Sequence, residues 1–161
     1  MTAPLLAATV LAAIRPDAIN LPLFLHVLGA MLLVGTLLAI ALAAAIAWRR
    51  PGDAVGLTRF SLLTLLAGVV PSYVLMRIGA QWTEAEQDYP EDFEPAWLGI
   101  GYITADVGAL LIVVSIVLST IGLVKLRRGA GIRLGRVVGV ISMLLLAAFL
   151  VAVWAMTAKP I

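Results

Sequence analysis

Four long apolar segments, each long enough to cross a lipid bilayer, constrain this chain more than any other feature. The chain has 161 residues, of which 63% are hydrophobic and 12% charged, and its mean hydropathy is +1.10. A membrane-spanning helix needs roughly 20 apolar residues. We therefore predict an all-α, polytopic membrane protein whose transmembrane domain, residues 21–160, is a four-helix bundle. The predicted spans are residues 21–48, 57–78, 97–124 and 134–156.

Charge distinguishes the two ends of the predicted bundle. Basic residues fill the short turns after the first and third spans, where Asp53 is the single acid. These basic residues are Arg49, Arg50, Arg59, Lys125, Arg127, Arg128, Arg133 and Arg136. An acidic run, residues 81–95, joins the second span to the third. The positive-inside rule predicts two out-in-out hairpins, with the basic turns in the cytoplasm and with the acidic loop and both termini outside.

Prolines indicate where the helices should be interrupted. Residues 1–20 are apolar at first but too short to span a bilayer, and we expect an interfacial or re-entrant helix there. A cleaved secretory signal is the alternative, although the segment lacks a basic start. Pro16 and Pro22 predict a turn before the first span. Pro71 removes a backbone donor within the second span and predicts a kink.

Small residues recur at every fourth position on two of the spans. The ladder on the first span consists of Gly35, Ala39, Ala43 and Ala47, and that on the fourth consists of Gly131, Gly135 and Gly139. Such spacing allows helix backbones to approach closely. We predict that these two spans pair near the basic turns, and that small-residue faces could also hold a second copy or a membrane-protein partner.

A few polar side chains within the spans are the candidates for function, because a charged group in a bilayer is costly and is usually retained for a purpose. His26, Arg77 and Asp106 all lie toward the acidic loop. Tyr73 precedes Arg77 by four residues and Tyr102 precedes Asp106 by four, so each phenol shares a helix face with a charge. We predict one polar cluster, open to the outside. It is either an Arg77–Asp106 ion pair that locks two helices together or a site for a ligand, proton or cofactor.

What the sequence lacks narrows the class of function. Without cysteine the chain has no thiol chemistry or disulfides. It contains no Gly-x-Ser-x-Gly, no His-Glu-x-x-His and no phosphate loop, and no glutamate falls within a predicted span. We predict a non-catalytic accessory or small-ligand-binding protein, with a small transporter as an alternative. The expected partner is the lipid bilayer and not nucleic acid. Abundant alanine and arginine with little lysine are typical of a GC-rich bacterial genome, which indicates a bacterial cytoplasmic (inner) membrane.

Two short stretches carry a family resemblance. Residues 25–30 read Leu-His-Val-Leu-Gly-Ala, and residues 153–160 read Val-Trp-Ala-Met-Thr-Ala-Lys-Pro. Over roughly residues 21–160 the chain resembles a family of predicted bacterial integral membrane proteins of unknown function, which is similar to the membrane part of the copper-resistance D proteins. In those relatives, histidines near the outer ends of helices suggest copper or haem ligation.

The resemblance implies an alternative function, a redox or copper-handling module that binds copper or haem b. Only His26 can inherit the ligand role. Met76 or Met156, or the His26 of a second chain, would complete the ligand set. Thioether and imidazole together suit Cu(I).

Overall fold

A computed structural model describes residues 17–87, 95–129 and 133–158 of the chain. Across those ranges the chain is helical and contains no strand. The elements are α1 (Asp17–Arg49), a 3₁₀ turn (Pro51–Asp53), α2 (Ala54–Thr64), a π-helical turn (Leu65–Val69), α3 (Val70–Ala85), α4 (Ala96–Arg127) and α5 (Arg133–Ala158). The 3₁₀ turn, α2, the π turn and α3 form one continuous span, so the described residues contain four helices long and apolar enough to cross a membrane. The all-α, four-helix prediction is confirmed.

The first helix begins earlier than the prolines predict. α1 already includes Asp17 and continues through Pro22, so the predicted turn does not include residues 17–22. Pro22 lacks a backbone N–H and cannot donate to the carbonyl of Ala18, yet the helix continues through it. Residues 1–16, on which most of the interfacial-helix prediction rests, lie outside the described residues.

The second span contains the interruption expected at Pro71, and it takes the form of a π turn. The backbone N–H of Val70 donates to the carbonyl of Leu65, five residues earlier, immediately before the proline. Single π turns of this kind are a recognised way for a helix to absorb a local irregularity. Beyond Pro71 the helix continues to Ala85, seven residues past the predicted end at residue 78. The start of the acidic run is therefore helical.

The helices form a ring in which α1 packs against α3 and α5, and α4 packs against α5. α2 packs against α4 at the arginine-rich end of the bundle, the end that carries the basic turns. In contrast, the backbones of α3 and α4 have few close approaches at the opposite, acidic end. Leu33, Leu37 and Ile40 of α1 fill the centre of the ring and are fully buried.

Large apolar side chains cover the outside of the bundle, as expected where lipid replaces water. Met31, Ile103 and Leu110, for example, are 69%, 67% and 64% exposed. A polar helix face would be unstable against lipid hydrocarbon, because its polar groups would lack hydrogen-bond partners there. An apolar face can pack directly against lipid. The exposed apolar surface therefore fits a helix bundle with lipid around it.

The glycines of the fourth span lie at close helix contacts near the arginine-rich end. A methyl group added at Gly139 would lie 2.5 Å from Cβ of Ala44, and one added at Gly135 would lie 3.4 Å from the hydroxyl of Thr58. The first and fourth spans thus approach closely at this end. Gly131, the third member of that ladder, lies outside the described residues.

Some residues of the small-residue ladder on the first span are buried against other helices, and others are exposed. Ala43 is buried and Ala39 is half-buried, but Gly35 is exposed and a methyl group added there would meet no atom within 4 Å. Helix positions four residues apart drift around the axis, because a turn contains 3.6 residues. Within the described part of one chain Gly35 therefore contacts no other helix, and its packing against a second copy or a membrane-protein partner stays a prediction.

Candidate functional site

A cavity opens at the acidic end of the bundle, and we call it the acidic-end cavity. It has about 80 Å³ of free interior space, and every span contributes to its wall. Its polar lining consists of His26, Arg77, Glu84 and Tyr102. The remaining lining is apolar or sulfur-containing: Ala30, Val34, Met76, Ala80, Leu98, Gly101, Ala105, Phe149, Ala152, Val153 and Met156. A mostly apolar pocket with a few convergent polar groups is the usual form of a small-molecule site.

Two glycines bring α1 and α3 into backbone contact beside this cavity. A methyl group added at Gly79 would lie 2.4 Å from the backbone nitrogen of His26, and one added at Gly29 would lie 2.4 Å from that of Met76. The two contacts are reciprocal, since Gly29 follows His26 by three residues and Gly79 follows Met76 by three. Because neither glycine has a side chain, the helices can touch, and this contact fixes where His26 enters the cavity wall.

One nitrogen of the His26 ring is occupied within the protein. Nδ1 lies 2.9 Å from the carbonyl oxygen of Met76. A carbonyl oxygen only accepts hydrogen bonds, so Nδ1 carries the proton and donates it. In the neutral ring Nε2 is then unprotonated, and it is the nitrogen left to accept a hydrogen bond or to ligate a metal.

An ion pair joins α3 to α4 next to the cavity. The guanidinium of Arg77 lies 2.9 Å from a carboxylate oxygen of Asp106, and it stacks over the ring of Tyr102 with 5.0 Å to the ring centre. The stacking distance is within the range of a cation–π contact. The Asp106 side chain is 65% exposed and that of Arg77 is 24% exposed. The pair is accessible from outside the bundle, so we expect it to fix the position of Arg77 more than to add stability.

Two phenols complete the bridge between α3 and α4. The hydroxyl of Tyr73 donates to the backbone carbonyl of Ala105 at 3.1 Å, and the hydroxyl of Tyr102 donates to the carboxylate of Glu84. Both phenols therefore bond across the helix pair and not to the charge on their own helix. Since the two backbones are separated at this end, these side chains close the gap between them over the cavity.

The structure brings together part of the cluster that the sequence predicts. His26, Arg77 and Tyr102 line the acidic-end cavity, whereas Tyr73 and Asp106 support it from outside the lining. Glu84 is the lining residue that sequence reasoning missed, because it was counted with the solvated acidic run. Its spacing held a signal: Glu84 follows Arg77 by seven residues, two helical turns, and so lies on the same face of α3.

The residues proposed as metal ligands also converge here. Met76 and Met156 line the same cavity as His26. Within residues 17–87, 95–129 and 133–158, no group of three or more His, Cys, Asp or Glu side chains could hold a metal ion. The two thioether sulfurs and the single imidazole form a donor set that suits a soft ion such as Cu(I).

Comparison of the chain with family models, with curated proteins and with solved structures gives no match. The function must therefore be argued from the geometry of the cavity.

Proposed function

We propose that this protein is a multi-pass protein of the bacterial cytoplasmic membrane that binds a small amphipathic molecule in the acidic-end cavity. The observation that carries the proposal is the cavity itself, which has an apolar wall and polar groups that converge from separate helices. The apolar body of a ligand would replace water along that wall, and the polar groups would orient its head. The protein acts as a binding or accessory component and not as an enzyme.

The polar groups favour a ligand head that donates a hydrogen bond. His26 offers Nε2 as an acceptor, because its Nδ1 donates to Met76. Glu84 offers a carboxylate next to the hydroxyl of Tyr102. An alcohol or phenol head matches these acceptors. A carboxylate head would meet Glu84 as a like charge, and the guanidinium of Arg77 in the same lining is already paired with Asp106. The ligand class is therefore a hydroxyl-bearing molecule with an apolar body.

Filling the cavity should displace such a ligand. We expect Ala80→Phe, which adds a ring to the cavity wall, to remove most of the amphipathic molecule that remains with the wild-type protein in lipid nanodiscs. The matched control is Val74→Phe on the same helix, where Val74 is 47% exposed on the outer surface. The measurement is mass spectrometry of solvent extracts from equal amounts of folded protein.

Equal extracts from wild type, Ala80→Phe and Val74→Phe would contradict a ligand in this cavity. His26→Leu separates binding of the ligand's polar head from packing of its apolar body against the cavity wall. It should weaken retention of hydroxyl-bearing compounds while the cavity walls remain intact.

A second candidate function is copper handling, and it is favoured by the convergence of His26, Met76 and Met156 on one cavity. The Nδ1 bond to a carbonyl is the usual second partner of a metal-ligating histidine. Bound Cu(I) would supply one-electron redox chemistry or be carried as cargo. Elemental analysis of the same purified sample tests this candidate. Met76→Leu and Met156→Leu keep the side-chain volume, so a loss of copper in both would reflect the lost sulfur.

Haem with His26 and Met76 as its two axial ligands does not fit these residues. The backbones of α1 and α3 are in contact on both sides of this pair, at Gly29 and at Gly79. A flat macrocycle has no room between two residues whose helices touch. His26 with Met156 is the axial pair left within one chain, and an absorbance spectrum of the purified protein would reveal it.

We also propose that the acidic-end cavity faces outward, in keeping with the positive-inside rule. The chain has no cysteine, so single cysteines report orientation directly. Gln81 lies at the acidic end and Arg128 at the arginine-rich end, and both are exposed. In spheroplasts, Gln81→Cys should react with a membrane-impermeant maleimide, whereas Arg128→Cys should react only after the membrane is permeabilised. The reverse pattern would contradict the orientation.

A further inference from the structure

The packing of α4 against α5 follows a seven-residue repeat. A methyl group added at Gly101 would lie 2.3 Å from the terminal methyl of Met156, and one added at Gly108 would lie 2.9 Å from the ring of Phe149. About four turns further along α4, one added at Gly122 would lie 3.2 Å from Cβ of Leu134 and 3.9 Å from the backbone nitrogen of Gly135. Seven residues make nearly two helical turns, so a step of seven residues along α4 is matched by about seven residues back along α5.

This repeat places two serines opposite each other in the layer between Phe149 and the arginine-rich end. Ser115 lies seven residues after Gly108, and Ser142 lies seven residues before Phe149. Ser119 follows Ser115 by one helical turn, on the same face of α4. In the layers of Gly101 and Gly108, a large side chain of α5 packs against a glycine of α4. In the serine layer, both helices contribute a small side chain with a hydroxyl group.

The hydroxyls of these serines are buried and have no partner. Ser115, Ser119 and Ser142 are 0%, 1% and 0% exposed, and among the described residues their oxygens have no hydrogen-bond partner. Other hydroxyls in these helices behave differently. Ser61 and Thr120, for example, donate to the carbonyl four residues earlier, at 3.0 Å and 2.8 Å. A buried hydroxyl without a partner is rare in folded proteins, and an ordered water molecule is the usual explanation.

A second cavity leads toward this serine layer from the arginine-rich end, and we call it the arginine-end cavity. Ser119 lines it together with Thr58 and Ser61, and its interior has room for about one water molecule. Among the described residues in its wall, Arg136 is the charged one and no carboxylate is present. A cation would meet Arg136 without an acid to bind it, and chloride and bromide ions are larger than a water molecule. The chemistry therefore favours an uncharged molecule the size of water.

We propose that Ser115, Ser119 and Ser142 form an internal hydration site that binds ordered water supplied through the arginine-end cavity. The water accepts from and donates to the hydroxyls, and so satisfies groups that the helices leave unpaired. The Phe149 layer lies between this site and the acidic-end cavity, whose wall it also lines. This site is independent of any ligand in that cavity.

Stability measurements on alanine variants test the site. Shared water predicts that Ser115→Ala and Ser142→Ala each lower the thermal unfolding midpoint in nanodiscs. The double variant should lose less than the sum of the two, because both hydroxyls depend on the same water. Thr120→Ala is the control, since Thr120 lies outside the arginine-end cavity and its hydroxyl already has the carbonyl of Ile116 as a partner. Unchanged or raised midpoints for both serine variants, or losses that simply add, would overturn the proposal.

A high-resolution structure of the wild-type protein tests the same site without any substitution. An ordered water within hydrogen-bonding distance of at least two of the three hydroxyls is the expected result. Crystals of the same protein grown in bromide test for an anion at the site. An anomalous bromide peak among these serines, or a serine layer without water, would overturn the proposal.

Discussion

Gly79→Ala should destabilise the bundle by roughly 1–3 kcal/mol, the usual cost of inserting an atom into a packed contact. The added methyl would lie 2.4 Å from the backbone nitrogen of His26 and 2.9 Å from the carbonyl oxygen of Pro22. Backbone atoms cannot turn aside as a flexible side chain can, so α1 and α3 must separate. Unfolding of the purified protein in increasing dodecyl sulfate, followed by tryptophan fluorescence, measures the loss. Gly29→Ala, at the reciprocal contact with Met76, should behave in the same way.

The control for this prediction is Gly35→Ala on α1, the helix that also carries Gly29. No atom lies within 4 Å of the added methyl there, and alanine favours a helix over glycine by about 1 kcal/mol. Gly35→Ala should therefore leave stability unchanged or raise it. If Gly79→Ala proved as stable as Gly35→Ala, the helices would not be in contact beside His26. If Gly35→Ala were instead the destabilised variant, the exposed glycine would belong to an interface with another chain.

Phe149→Ala should cost more, roughly 3–5 kcal/mol, as is typical for deletion of a buried aromatic ring. Phe149 is 4% exposed, and its ring occupies the notch left by Gly108. Glycine on the opposite helix has no side chain that could move into the space, so the hole would remain. The same substitution removes part of the wall of the acidic-end cavity, and retention of an amphipathic ligand should fall with stability.

Phe24→Ala is the matched control, because Phe24 is 59% exposed on the outer surface of α1. It removes the same ring from a position that packs against lipid. The free energy of unfolding of Phe24→Ala should stay close to that of the wild type. Equal losses in the two variants would show that Phe149 does not fill a packed layer between α4 and α5.

Much of the fold could be predicted because a bilayer demands long apolar helices and little else. Apolar length alone identifies the spans, and the basic turns identify which ends of the helices meet. The boundaries were less predictable, because helical geometry does not stop where hydrophobicity stops. Residues 81–85 begin the acidic run yet continue α3, and Pro22 is buried inside α1.

The site could be predicted only as far as single residues stand out from their surroundings. Charges inside apolar spans are conspicuous, and Arg77 and Asp106 do form an ion pair. Contacts between helices depend on register, which a single sequence does not display. Nothing in the sequence distinguishes Gly79, which touches the backbone of His26, from Gly35, which touches nothing. Serines in apolar helices are equally unremarkable until their neighbours are known.

The seven-residue register of α4 and α5 determines which changes in length the hairpin can accept. A residue inserted between Gly108 and Ser115 would rotate everything beyond it by about 100° around the helix axis. Ser115 and Gly122 would leave the α5 side together, while Gly101 and Gly108 kept their partners Met156 and Phe149. An insertion of seven residues would preserve the facing side but displace the basic turn by about 10 Å. We therefore expect insertions and deletions in this hairpin to be tolerated only at its ends, in the basic turn and in the acidic loop.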